Sequence, residues 1–248
     1  MVLKMTGARM FHLGEVEAIQ TWNPVVGCLY HCYADGCWAA KVCGALMRDA
    51  NAKIKAKYSQ GFYVPKFFPE VLDKAKFSPG KTYFVVSMGD LFGSWVSDEW
   101  IHRVLETVRK WPRSRFFFET KNPVRYQDFI GEFPKTAILS TTIETNRSTR
   151  TSAAPPAWER WKVMRDLYWP CKHISVEPIV DFDLEELLTM LTAVRPWMVA
   201  VGYDSLANGL PEPSLEKTMQ LIAELEKAGI KVERKLLREK IAMKGSWM

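Results

Sequence analysis

The stretch that decides the fold is Thr21-Trp22-Asn23-Pro24-Val25-Val26-Gly27-Cys28-Leu29-Tyr30-His31-Cys32-Tyr33-Ala34-Asp35-Gly36-Cys37-Trp38-Ala39. It places three of the five cysteines within ten positions, in the pattern Cys-x3-Cys-x4-Cys. Structural zinc sites usually have four ligands, often in two separated pairs, whereas this stretch offers one compact trio. Three thiolates on a four-iron cluster leave one iron open. The pattern therefore indicates a metal-binding loop.

The residues alone leave alternatives for this trio. A zinc site completed by His31 or Cys43 is one, and three unrelated buried thiols are another. Cys171 stands far from the others in sequence and is most simply a small buried hydrophobe. The predicted metal ligands are Cys28, Cys32 and Cys37.

Further motifs follow the cysteines along the chain. They are Ser87-Met88-Gly89-Asp90-Leu91-Phe92, Thr120-Lys121-Asn122-Pro123, Thr142-Ile143-Glu144-Thr145-Asn146, Ser175-Val176-Glu177-Pro178 and Val201-Gly202-Tyr203-Asp204-Ser205. With the cysteine stretch, this series resembles the phage Gp37/Gp68-like proteins, a radical-SAM-like family named DUF5131. The resemblance covers most of residues 20 to 240, so it concerns a whole domain.

The resemblance implies a radical S-adenosylmethionine (SAM) enzyme. In such enzymes a three-cysteine 4Fe-4S cluster holds SAM at its open iron, and reductive cleavage of SAM gives a 5'-deoxyadenosyl radical. The implied cofactors are the 4Fe-4S cluster and S-adenosylmethionine, and the implied electron donor is a protein such as flavodoxin or ferredoxin. Radical SAM proteins usually have two residues in the second gap of the trio, whereas this chain has four.

Length and composition fit one large α/β domain. The chain has 248 residues, of which 48% are hydrophobic, so it can bury a substantial core. We expect one radical-SAM-like domain over 1–248, with a cysteine loop at 27–43, an insertion at about 51–78 and a basic C-terminal segment at about 230–248. The first residues lack the apolar core of a signal peptide, and no stretch approaches the ~20 apolar residues of a membrane span. We therefore expect a cytoplasmic protein with no membrane partner.

Short apolar strands alternate with helical segments. The predicted strands are a run ending at Val26, then 82–87, 115–120, 137–142, 173–176 and 198–201, with a seventh short strand at 230–232. The predicted helices are 98–110, 124–130, 158–167, 184–194 entered from Asp183 as N-cap, and 214–228 capped by Ser214 and stopped by Gly229. This alternation predicts a mostly parallel sheet with outer helices. The resemblance implies that this sheet is a partial (β/α)6 TIM-like barrel of the radical SAM type.

Polar motifs follow the predicted strands, at the end where such barrels carry their chemistry. The amine of SAM needs acceptors, its ribose an acidic or amide partner, and its carboxylate a fixed cation. The predicted cofactor-binding residues are Tyr33, Trp38, Ser87, Met88, Gly89, Asp90, Lys121, Glu144, Asn146 and Arg147. The predicted catalytic or substrate residues are Glu177, Tyr203 and Asp204. For any one of them alone, a helix cap or a salt bridge at the rim is the structural alternative.

The net charge of +6 and the clustered lysines suit a phosphate-rich partner. The predicted nucleic-acid-binding residues are Lys53, Lys55, Lys57 and Arg150. The alternative for these basic residues is a solvated basic surface. The aromatic residues of the insertion would either stack on bases or cover the barrel. We therefore expect action on a nucleic acid or nucleotide. The alternatives are a non-catalytic zinc- or iron-sulfur-containing nucleic-acid-binding protein and a radical enzyme acting on a small metabolite or peptide.

Overall fold

The computed structural model describes residues 19–34, 36–49, 52–148, 151–206 and 208–238, apart from the side chains of Asp49 and Lys53. Its strands are β1 (Gln20–Trp22), β2 (Val25–Val26), β3 (Lys66–Phe67), β4 (Thr82–Val85), β5 (Arg115–Thr120), β6 (Ala137–Thr142), β7 (Lys172–Val176), β8 (Met198–Val201) and β9 (Lys231–Arg234). Its helices are α1 (Trp38–Asp49), α2 (Ala52–Lys57), α3 (Pro69–Asp73), α4 (Asp98–Arg109), α5 (Ala157–Asp166), α6 (Leu184–Val194) and α7 (Leu215–Lys227), with a 3₁₀ turn at Pro123–Tyr126.

Seven strands form one sheet in the order β1-β4-β5-β6-β7-β8-β9. Every neighbouring pair is parallel, so each connection must cross over from one end of the sheet to the other. Within the described residues β1 and β9 do not pair with each other, so the sheet is an open, partial barrel. The predicted mostly parallel α/β fold with outer helices is confirmed, and the seventh strand is β9.

The outer face of the sheet packs against the helices. Helix α4 shows why the sequence folds this way, because Ile101, Val104, Leu105 and Val108 recur at helical spacing and are all fully buried. Full burial of such a side chain contributes roughly 1.5–3 kcal/mol relative to an exposed one. The outer layer is therefore fixed mainly by apolar packing.

The inner face of the sheet changes character along the strands. A small apolar cluster of Ile19, Phe117, Ile138 and Met198 closes one end of it. Alternate residues of a strand share a face, so β5 turns Glu119 to the same side as Phe117. The inner face thus becomes polar toward the carboxyl ends of the strands.

The first predicted strand was wrong in detail. The run ending at Val26 is split at Asn23 and Pro24, so that β1 joins the main sheet while β2 pairs antiparallel with β3. Proline has no N–H to donate to a strand ladder, which explains the break.

Two further local predictions also need correction. The helix predicted at 124–130 is only the short 3₁₀ turn. Asp183 stands at the N-cap of α6, but its side chain makes no capping hydrogen bond and accepts from Arg147 instead. By contrast, Ser214 caps α7 as predicted, because its side chain accepts from the Lys217 N–H at 3.2 Å.

The insertion between β2 and β4 covers the cysteine loop. Its Tyr58 and Phe62 are buried in the same cluster as Cys28 and Cys43, at 5% and 6% exposure. These two insertion aromatics therefore pack over the cysteine loop. In the described part of the chain, no helix has the length and apolar character needed to cross a membrane.

Candidate active site

A cavity of about 260 Å³ opens at the carboxyl ends of the parallel strands. Parallel barrels place their active sites at this end, because the loops after the strands meet there. The predicted site residues that line the cavity are Cys28, Cys32, Tyr33, Cys37, Trp38, Ser87, Gly89, Asp90, Lys121, Glu177, Tyr203 and Asp204. The predicted residues that do not line it are Met88, Glu144, Asn146 and Arg147.

The cysteine loop turns tightly between β2 and α1. His31, Tyr33 and Ala34 have φ angles of 46°, 58° and 51°, a left-handed region that residues with side chains seldom adopt. Such conformations cost of order 1–3 kcal/mol each and tend to occur at functional sites. The Tyr33 N–H donates to the Thr151 carbonyl at 2.6 Å and helps to hold the turn. The three cysteine side chains thereby reach one cavity.

The three thiols of the cysteine loop line the same cavity. Burial raises the pKa of Cys28, and the nearby Asp90 carboxylate raises it further. Burial also raises the pKa of Cys32, while Lys121 lowers it. Among the described residues, no three or more His, Cys, Asp and Glu are grouped as ligands of one metal ion. A 4Fe-4S cluster takes each cysteine on a different iron, so these three thiols are the donor set that such a cluster would need.

Close backbone approach fixes the start of the loop. The Gly27 N–H donates to the Met88 carbonyl at 2.8 Å, and Gly27 forms an isolated parallel bridge with Gly89. A Cβ on Gly89 would stand 2.7 Å from the Gly27 carbonyl oxygen, and one on Gly27 would stand 2.8 Å from the Pro65 Cα. Both glycines are therefore needed to bring the cysteine loop beside the loop that follows β4.

The conformation of the loop after β4 is fixed by hydrogen bonds to neighbouring protein groups. Val86 has a φ of 62°, which is an outlier for a β-branched residue. The Asn23 side-chain oxygen accepts from the Met88 N–H at 2.9 Å. Asp90 accepts from the backbone N–H groups of Phe92 and Lys121, each at 2.9 Å, and from the Thr120 hydroxyl. The Asp90 oxygens are thus occupied by loop donors.

A buried ion cluster ties the cysteine loop to β5 and β6. Glu144, which is 1% exposed, accepts from Lys121, from Arg160 at 2.8 Å and from the Tyr33 hydroxyl at 3.1 Å. Burial disfavours the charged carboxylate, but Lys121 and Arg160 outweigh it and hold the pKa of Glu144 well below its usual range. Both oxygens of Glu144 therefore already have partners within the protein.

Asn146 and Arg147 lie away from the cavity. Arg147 donates to Asp181 and Asp183, and Asn146 donates to Glu186 at 2.6 Å, all on the solvent side near the start of α6. Side-chain hydrogen bonds to Asp183 and Asp181 raise the pKa of Arg147. The structure thus brings Lys121 to the cavity as a cation but not Arg147.

The loop after β8 closes another side of the cavity. Asp204 accepts from the N–H groups of Leu206 and Asn208 and from the Asn208 side chain at 3.0 Å. Asn208 also donates to the Gly36 carbonyl at 3.1 Å and accepts from Lys41. The cysteine loop is therefore fastened on this side as well.

Two glutamates stand on the inner side of the cavity. Burial raises the pKa of Glu119 to about 7, although Lys121 lowers it. Burial also raises the pKa of Glu177 to about 7, with Lys235 lowering it and Glu119 raising it. Both carboxyl groups are thus poised to exchange protons near neutral pH.

Among the residues that shape the site and were not predicted are Asn23, Glu119, Arg160 and Asn208. Strand alternation in Arg115–Thr120 could have identified Glu119, because it shares a face with Phe117. Arg160 could not be identified in this way, because arginine is mostly exposed in proteins, whereas here Arg160 and Met164 are the buried residues of α5.

The predicted phosphate-binding residues differ in their surroundings. Lys57 is half-buried, donates to the Asn23 carbonyl at 2.6 Å and lies 4.9 Å from the centre of the Phe68 ring. Burial lowers the pKa of Lys57, so it is engaged inside the protein. Lys55 is partly exposed on α2, whereas the Lys53 side chain and Arg150 lie outside the described residues.

The fold is that of radical SAM proteins. A variant of spore photoproduct lyase aligns at a TM-score of 0.59 and 11% identity, over 93% of this chain and 79% of that one. Another variant, with bound AdoMet and dinucleoside spore photoproduct, aligns at 0.54 and 12% identity, over 90% and 65%. A radical SAM methyltransferase from Sphaerobacter thermophilus aligns at 0.51 and 16% identity, over 88% and 66%.

Because the sequence identities are low, these structural similarities establish the fold alone. The chain spans about 65% of the length of the lyase structure that holds AdoMet. No curated protein matches the chain significantly. The predicted link to phage Gp37/Gp68-like proteins stays a prediction, but the predicted family is confirmed. Residues 16–207 match the family model described as "Protein of unknown function (DUF5131)", so the chain belongs to the DUF5131 family.

Proposed function

We propose that this protein is a radical SAM enzyme that acts on a nucleic acid or nucleotide. Cys28, Cys32 and Cys37 would hold a 4Fe-4S cluster, and S-adenosylmethionine would bind beside it. The single observation that carries this proposal is that the three cysteines, Gly89 and Lys121 line one cavity at the carboxyl ends of the strands.

The bound cluster and SAM would supply a 5'-deoxyadenosyl radical able to remove hydrogen from an unreactive carbon. The chain's own residues would bind and orient. The Lys121 ammonium would pair with a carboxylate, and the backbone carbonyls of the loop after β4 would accept from an amine. The aromatic side chains of Trp38, Phe62 and Phe84 would exclude water from the same space. Tyr33 would keep the cysteine loop in register through its bonds to Lys121 and Glu144.

The substrate class is supported by two features. One of the similar structures is a spore photoproduct lyase with a dinucleoside spore photoproduct bound. In this chain, positions 51 to 68 carry four lysines and no acidic residue. A polyanion with an accessible base would match both, since a cavity cannot reach an atom inside a stacked duplex.

Anaerobic purification and metal analysis would test the cofactor part. About four irons per chain with matching sulfide, and release of 5'-deoxyadenosine with dithionite and SAM, is the expected result. One zinc and no iron would instead support the non-catalytic binding protein.

Salt dependence would test the partner. Affinity for single-stranded DNA or RNA should fall steeply with salt, because each neutralised phosphate releases counterions, and Lys55→Ala should flatten the slope. If low salt reveals no nucleic-acid binding, a small metabolite or peptide becomes the better substrate class.

A further inference from the structure

The cavity is lined by four carboxyl groups that differ in their partners. The carboxylates of Asp90 and Asp204 are occupied by donors of their own loops. Glu177 makes no side-chain hydrogen bond or ion pair within the described residues, and Glu119 accepts only a long one, from Ser140 at 3.4 Å. Two carboxyl groups therefore face the cavity with acceptor capacity to spare. We call Glu119 and Glu177 the glutamate floor.

Lys235 lowers the pKa of both floor carboxyl groups but is itself paired with another carboxylate. Lys235 pairs with Glu233 at 2.7 Å, and these side chains are only 8% and 10% exposed. Gly202 makes room here, because a Cβ on it would stand 2.6 Å from the Lys235 Cβ and 3.5 Å from the Glu177 carboxyl carbon. Lys121, the other cation that acts on Glu119, is paired with Glu144, so the ion pairs of both ammonium groups are made with carboxylates outside the floor.

An unpartnered buried nitrogen lies beneath the floor. His173 is 3% exposed, and its Nε2 has no hydrogen-bond partner among the residues that the structure describes. Its Nδ1 lies 2.8 Å from the Ser140 hydroxyl, which in turn reaches Glu119. Burial, together with Lys235, lowers the pKa of His173 to about 3, so the ring is neutral.

The placement of this ring follows from strand alternation. His173 precedes Ser175 by two residues, and Ser175 lines the cavity, so both face inward. The ring also packs edge-on against Phe117, which shares the inner face with Glu119. Unsatisfied polar atoms are unusual in protein interiors and call for a partner. Polar side chains therefore continue below the glutamate floor, and the Nε2 atom of His173 among them lacks a hydrogen-bond partner within the described residues.

We propose that the glutamate floor is a substrate subsite that selects a nucleobase presenting N–H donors. This inference rests on the proposed nucleotide substrate and narrows it. A carboxylate accepts two hydrogen bonds side by side, which matches the amino group and ring N–H of guanine, and it also accepts from the amino group of cytosine. Uracil has no amino group and presents its one ring N–H between two carbonyl oxygens, so a carboxylate that accepts from it would also face an oxygen unfavourably. Phe84 and Trp38 line the same cavity as flat apolar walls.

Calorimetric binding of four nucleosides would test the subsite. The holoprotein would be titrated with guanosine, inosine, cytidine and uridine, with SAM present and no reductant, so that no turnover occurs. Guanosine should bind at least about tenfold more tightly than inosine, which lacks the amino group, and cytidine should exceed uridine similarly. Glu177→Gln and Glu119→Gln should each reduce these ratios, whereas Glu106→Gln, on the exposed face of α4, should preserve them.

Proton release gives a readout that needs no variant. Glu177 faces Lys235, Glu119 and Glu233, while Glu119 faces Lys121, Asp90 and Lys235. A bound donor group favours the ionised carboxyl, so guanosine binding at pH 7 should release up to about one proton, measured in buffers of different ionisation enthalpy.

Equal affinity for cytidine and uridine, proton uptake on binding, or no binding of any nucleoside would overturn the inference. These results would leave the iron content and the release of 5'-deoxyadenosine untouched. Conversely, a protein that binds no iron would refute the proposed radical chemistry. The ratios of nucleoside affinities would still test whether the glutamate floor is a base-binding subsite.

Discussion

Replacing Glu144 by Gln tests the buried ion cluster, because it keeps the shape of the side chain and removes its charge. The side chains of Glu144 and Arg160 are 2% and 3% exposed, and that of Lys121 is 12% exposed. After the change, Lys121 and Arg160 would remain together without the carboxylate that separates them. Removing one partner of a buried ion pair costs about 3–5 kcal/mol, so we expect the free energy of unfolding to fall by that amount.

Urea unfolding of the purified protein at pH 7 would measure this loss. The matched control is Glu106→Gln on α4, whose partner is Lys110 at 3.1 Å with both side chains at least 60% exposed. Exposed pairs at this spacing contribute about 0.3–0.5 kcal/mol, so the control should barely move the transition.

Acid unfolding gives a second readout of the same change. The pKa of Glu144 is held well below the ~4.3 of an unfolded glutamate, so its contribution is complete above that value and is lost as the pH falls further. The Gln variant should lack this acid-dependent part of the stability curve. The reasoning would be refuted if the variant lost less than about 1 kcal/mol of unfolding free energy at pH 7 and its stability still fell with acid as in the wild type.

Three further outcomes are expected. Cys28→Ala should abolish the brown absorbance of reconstituted protein because two thiolates cannot hold the cluster, whereas Cys171→Ala should keep it; the reverse pattern would show a wrong ligand assignment. Burial raises the pKa of Glu177 to about 7, above its value in the unfolded chain, so the free energy of unfolding should decrease as the pH rises from about 4 to 7. In thermal unfolding, the Glu177→Gln variant should show a smaller decrease over this pH range. Gly36→Ala would place a Cβ 2.1 Å from the Asn208 side-chain oxygen, so it should cost about 1–3 kcal/mol in urea unfolding; an unchanged midpoint would mean that the two loops separate easily.

The sequence predicted the layer architecture because apolar runs and helical periodicity are local signals. The strands β5 and β6 were identified almost residue for residue, since buried parallel strands appear as short continuous apolar runs. The predicted single run ending at Val26 missed the break at Pro24, although proline has no N–H to donate to a strand ladder.

Side-chain direction beyond the strand ends could not be predicted in the same way. Glu144 follows β6 by two residues and still points inward, whereas Asn146 and Arg147 point to the acidic start of α6. Once a strand ends, its period of two no longer applies, and the direction depends on which charges lie nearby. The partner of Glu144 on α5, Arg160, could be found only by knowing that this helix packs against β6.

The charged side chains of the cavity are separated, with the cation at one end and the carboxyl groups with spare acceptors at the other. Among the described residues that line it, Lys121 is the one cation, and it stands by the cysteine loop in contact with Tyr33. The carboxyl groups with spare acceptors, Glu119 and Glu177, are grouped at the floor. An anionic group is thus favoured beside Lys121, and a donor group is favoured at the floor, while the reverse placement would bring like charges together. Under the proposed function, the carboxylate of SAM and the base of the substrate would therefore each have one preferred end of the cavity.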